Sequence, residues 1–110
     1  MHEELTNKSK ITNDDVITWL KNTANDTKDL LKRIESIGIK TEEDRAIQED
    51  ATNLLHTCND LSNALTEGRK LTPNQKETLM TMLRGVLLDL ERGIIGGTSL
   101  GIDNYIKELF

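Results

Sequence analysis

Three times along this chain, apolar residues recur at spacings of three and four between a capping residue and a glycine. That rhythm is helical. The strongest start is Thr72-Pro-Asn-Gln75, with proline at the first helical position and glutamine three residues past the cap. Leu79, Leu83, Val86, Leu87, Leu90 and Ile94 follow at core spacing. A second start, Thr41-Glu-Glu-Asp44, leads into Ile47, Ala51, Leu54, Leu55, Cys58, Leu61 and Leu65 and stops at Gly68. The first helix opens at Thr12 or Asn13, with Asp14 and Asp15 in its first turn. Its stripe is Val16, Leu20, Ala24, Thr27, Leu31 and Ile34, closed by Gly38. Trp19, Leu30 and Ile37 sit together at about 100° to one side of it, so this face is broad.

Helices are therefore expected over about 13–37, 42–67 and 73–95, with a short one over 102–109 after the glycine-rich segment 93–101. Leucine occurs 16 times in 110 residues, valine twice, and Trp19, Tyr105 and Phe110 are the only aromatics. Such an aliphatic core suits helices better than a sandwich of β-branched and aromatic strands. Short connections favour antiparallel neighbours. The expected fold is all-α: an antiparallel up-down-up three-helix bundle with a short C-terminal helix after the Gly-rich loop. It forms one domain over 12–110, with residues 1–11 as a flexible N-terminal tail. No segment has the length and apolarity of a secretory signal or a membrane span, so neither is expected and the location is read as cytoplasmic.

Charge is unevenly spread. The net charge is −5, which argues against direct nucleic-acid binding, since phosphate neutralisation needs a cationic surface. Between Glu42 and Glu67 stand seven acids and one base, whereas the rest of the chain carries twelve acids and thirteen bases. Such a helix either meets a basic partner or solubilises an exposed face while its first acids serve the helix N-terminus.

Catalytic and metal constellations are incomplete. The single cysteine, Cys58, excludes an intrachain disulfide and a multi-thiolate zinc site. It lies within its stripe, where a thiol acts as a small hydrophobe, and His56 lies about 180° from that stripe, so they do not form a nucleophile pair. His2 belongs to the tail. Glu42, Glu43, Asp44, Glu49 and Asp50 invite magnesium, but no facing helix supplies a matching carboxylate pair, and Asp89 and Glu91 diverge by about 160°. A metal-dependent phosphohydrolase is the weakest reading. No enzyme activity, cofactor, metal site or catalytic residue is expected.

Two binding readings remain. Gly96, Gly97, Thr98 and Ser99, with Arg92 or Arg84, have the ingredients of a nest for an anionic, nucleotide-like ligand. Their structural alternative is a loop in which glycine supplies unusual backbone angles or close approach. The leading reading is a non-enzymatic binding protein that docks a helical face on another protein or on itself as a homodimer. Leu88 and Ile95 fall about 120–140° from the third stripe, beyond what one bundle face needs. The expected apolar anchors are Trp19, Leu88, Ile95, Tyr105 and Phe110, and the expected acidic rim is Glu49, Asp50, Asp60 and Glu67. In size and outline the chain resembles small helical bundles such as bacterial immunity proteins and phage-encoded inhibitors. That resemblance implies an inhibitor, immunity or regulatory role of bacterial or phage origin.

Overall fold

A computed structural model describes residues 3–109, and among them every regular element is a helix: α1 (Glu3–Thr6), α2 (Asn13–Ile37), α3 (Glu42–Thr66), α4 (Pro73–Glu91) and α5 (Leu100–Leu109). The three long helices start at threonines whose hydroxyls accept from the backbone three residues on. Thr12, not Asn13, caps α2, in a reciprocal box with Asp15. Lys8 ion-pairs with the Asp15 carboxylate, and the hydrogen bonds that Lys8 and the Thr12 amide donate to it lower its pKa from the ordinary value. Thr72 and Gln75 form the same box at α4. At α3 the return bond shifts by one residue, Asp44 accepting from the Lys40 amide instead of the Thr41 amide.

Glycine ends two of these helices by one device. At Gly68 and Gly93 the backbone turns left-handed, with φ of 69° and 71°, and the amides of the glycine and of the residue after it fold back on the last carbonyls. This stop corrects the third helix. The expected span of 73–95 ends instead at Glu91, because Gly93 donates to Leu90 and Ile94 to Asp89. Ile94 is thrown outward, while Ile95 folds back against the core.

Among the described residues α2 and α3 form the most extensive contact between helices. Their buried residues explain why. Thr23, Ala24 and Thr27 on α2, and Ala51, Cys58, Ser62 and Ala64 on α3, are small enough to let two backbones approach. Leu79, Leu83 and Val86 of α4 complete the core with Val16, Trp19, Leu20 and Leu61.

Part of the segment expected as a tail packs against the domain. Leu5, Thr6 and Ile11 are buried, and Leu5 and Ile11 belong to the central cluster. The glycine segment makes room for them. A Cβ at Gly97 would collide with the carbonyl of Thr6, and one at Gly101 would lie 2.5 Å from the carbonyl oxygen of Lys8. The Thr98 amide donates to the Thr6 carbonyl at 2.6 Å, tying the two ends of the chain together.

Candidate functional site

The core occupies only part of the α2–α3 pair. Buried residues of α2 stop at Thr27 and those of α3 begin at Ala51, so nothing between Lys28 and Asp50 is buried. The distal part of the pair is an arm of about 15 Å, given ten residues from Lys28 to Ile37 at helical rise. Leu54 and Ile47, expected in the core, are 38% and 45% exposed, and Leu30, Ile37 and Ile39 are 39%, 70% and 42% exposed. The stripes are continuous in sequence, but the helices that cover their proximal ends do not reach the distal ones.

These side chains form one face. Leu30 lies eleven residues beyond Trp19 and seven before Ile37, while Ile47, Leu54 and Leu61 are seven apart. Residues seven or eleven apart fall within about 20° of one line along a helix. Trp19 and Leu61 are both buried in the same cluster, so their lines extend onto the arm on the side that the rest of the molecule covers at the base.

The polar border of this face has a sign. Asp26 and Arg33 on α2, and Glu43 and Asp50 on α3, are all exposed and lie within about 50° of the apolar lines. Three are acids and one is a base. Lys28, Lys32 and Arg45 lie about 150° or more away on the opposite side. Ion pairs among the described residues stand elsewhere, at Lys8–Asp15 and Glu67–Arg69.

The residues expected to act together are dispersed. Trp19 and Tyr105 are core residues and not surface anchors, because α1, α5 and the N-terminal segment close over this end of α2. Tyr105 also donates its hydroxyl to Asn13 Oδ1 at 2.9 Å. Leu88 is 47% exposed on α4, and Phe110 lies outside the described residues, as does His2. Of the expected acidic rim only Asp50 borders the arm face. Glu49 and Glu67 point about 150° away from the apolar line, and Glu67 pairs with Arg69 at 2.7 Å. Asp60 lines a cleft of about 170 Å³ beside Asn74 and Thr78 of α4.

The glycine segment spends its polar groups on itself and on the N-terminal segment. Besides the Thr98 amide, the Thr98 hydroxyl accepts from Leu100 and the Ser99 carbonyl from Asp103. Gly96 is exposed, as are Arg84 and Arg92, and no described hydrogen bond or ion pair joins either arginine to the segment. Cations gather instead at Arg69, Lys70 and Lys76, around an open cleft of about 480 Å³ that Tyr105 and Glu108 also line. No three His, Cys, Asp or Glu side chains among the described residues stand together as a metal site. Glu42, Glu43 and Asp44 are first-turn acids of α3, and burial pushes the Cys58 thiol up. Among the described residues no helix is long and apolar enough to cross a membrane.

Burial of Tyr105, with Glu108 nearby, pushes its phenol up to about 12 from an ordinary value near 10. Between those values the unfolded chain loses the proton and the folded one keeps it, so stability falls as pH rises. A melting series across that window should show a loss of roughly 2–3 kcal/mol that Tyr105→Phe removes. At neutral pH the same variant should cost about 1 kcal/mol through the lost bond to Asn13. An unchanged alkaline slope in Tyr105→Phe would contradict this burial.

Comparison with known proteins finds no matching family model, no matching curated protein and no matching solved structure.

Proposed function

We propose that this protein is a non-enzymatic docking protein whose working surface is the distal α2–α3 arm. One observation carries this reading: four large aliphatic side chains, Leu30, Ile37, Ile47 and Leu54, stand exposed on two long helices whose proximal parts are packed, and Ile39 is exposed in the turn that joins them. An amphipathic pair with one face left uncovered gains stability from whatever covers it, at roughly 25 cal/mol per Å² of apolar area removed from water. Leu88 and Ile94 are exposed as well, but Leu88 stands on α4 and Ile94 in the loop after it, away from the arm. The same reading takes α2, α3 and α4 as an up-down-up trio, supported by the short connections 38–41 and 67–72. It places the protein in the cytoplasm, as an inhibitor, immunity or regulatory protein. A small anionic ligand is the second reading, and the cluster of Arg69, Lys70 and Lys76 favours the cleft beside Tyr105 over the glycine segment for it.

The test is selection of helical peptides from a displayed library of unbiased charge on the intact chain. Ligands so selected should bind Ile37→Ser/Ile47→Ser/Leu54→Ser at least about tenfold more weakly. Helix content should be unchanged, because all three positions are exposed. Selected ligands that bind the triple variant as tightly as the parent would remove the arm as the docking surface.

A further inference from the structure

We infer that the occupant of the arm is a basic amphipathic helix from another protein, laid along the face between the Leu30–Ile37 and Ile47–Leu54 lines. This rests on the docking reading above and adds the chemistry of the partner. Each line offers two aliphatic side chains seven residues apart, about 10 Å along the axis. That spacing accepts a helix whose own apolar residues recur at intervals of three and four over two to three turns. A strand or an extended peptide finds no unpaired edge here, since the described elements are all helical.

Charge selects the sign of the partner. Along the two helices the border of the face presents Asp26, Glu43 and Asp50 against Arg33, all four exposed, and Lys40 is exposed in the turn beside Ile39. Three of the arm's five bases, Lys28, Lys32 and Arg45, project from the opposite side. The acids are spread around both helices, so what sets the sign of the border is that Arg33 is the one helical base of the arm beside it, against Asp26, Glu43 and Asp50. Lysines or arginines flanking an aliphatic stripe would lie within a Debye length, about 8 Å, of these carboxylates and be steered onto the face. A second copy of this chain would bring a like-charged border against its own, an arrangement that costs affinity.

The experiment uses two synthetic peptides of about 21 residues with the same leucine stripe, one flanked by lysine and the other by glutamate. Titration calorimetry and amide NMR on the full chain read affinity and location. The lysine peptide should bind at least about tenfold more tightly than the glutamate peptide, and raising salt from about 50 to 500 mM should remove most of that difference. Its shifts should centre on residues 26–54. Glu43→Lys/Asp50→Lys, checked for unchanged helix content, should invert the preference, and Asp50→Lys alone should reduce it. Equal binding of the two peptides, a preference for glutamate, or a charge-reversed variant that still prefers lysine would overturn the inference. So would sedimentation at twice the 12.4 kDa protomer mass with the arm as the dimer contact. Those outcomes leave the docking reading standing where library-selected ligands still need Ile37, Ile47 and Leu54. Loss of both readings would show as no ligand of any charge depending on those three residues.

Discussion

Leu83→Asp is expected to unfold the domain, whereas Leu54→Asp should leave it folded. Both leucines belong to helical stripes of the same quality, so periodicity alone assigns them the same fate. Leu83 is fully buried among the cluster of α4, α2 and α5, while Leu54 is 38% exposed on the arm. A carboxylate at Leu83 would stand among the apolar side chains of that cluster. Leaving such a charge uncompensated costs about 3–5 kcal/mol, to which the lost leucine packing adds. Against a usual total of about 5–15 kcal/mol this is enough to abolish cooperative melting at ordinary temperature. At Leu54 the new carboxylate reaches water, and the loss should stay near 1 kcal/mol. Circular dichroism melts of the two variants decide the matter. Equal destabilisation would place Leu54 in the core and remove the arm.

Gly97→Ala is expected to release the N-terminal segment. Two costs combine at this position. Its φ of 130° is a conformation that side-chain-bearing residues rarely adopt, and the added Cβ would run into the Thr6 backbone, which cannot swing aside as a side chain can. The same movement would break the Thr98-to-Thr6 hydrogen bond and expose Leu5. A loss of about 3 kcal/mol follows, with Gly101→Ala somewhat milder because its obstruction is the Lys8 carbonyl at 2.5 Å. Gly96→Ala is the control: nothing lies within 4 Å of its Cβ, and it should be nearly neutral. Hydrogen exchange should show residues 5–11 losing protection first in Gly97→Ala. Equal behaviour of Gly96→Ala and Gly97→Ala would mean that the segment is merely flexible, with no packing role.

The reading of the glycine segment illustrates how far residue types carry. Four glycines, two hydroxyls and an adjacent arginine are compatible with an anion nest and equally with close backbone approach. Only the position of residues 5–8 separates them. Thr6 and Lys8 stand against Gly97 and Gly101, and one amide of the segment is spent on Thr6. The N-terminal signal was weaker still: Leu5 and Ile11 are two isolated hydrophobes in a polar stretch, too few to mark a core element. Trp19 and Tyr105, expected as surface anchors, belong instead to the core. Both are enclosed by elements far away in sequence, Tyr105 bonding to Asn13 across 92 residues.

The arm's acidic border was legible only in part. Seven acids between Glu42 and Glu67 marked α3 as unusual, but they are spread around its circumference. Glu43 and Asp50 matter because they flank Ile47 and Leu54, and that selection needs to know which apolar residues stay uncovered.

Sequence by itself determined where the three long helices start and where the first two end, since caps, left-handed glycines and three-to-four spacing act within a few residues of one another. Thr12, Thr41 and Thr72 start α2, α3 and α4, and Gly38 and Gly68 close the first two. Tertiary structure alone decided which half of each stripe is core and which is surface. Helical periodicity repeats unchanged along the full 25 residues of α2 and of α3, but the covering elements are finite. Where they come to rest depends on contacts such as Thr98 with Thr6, made between the two ends of the chain, for which no local pattern names the partner.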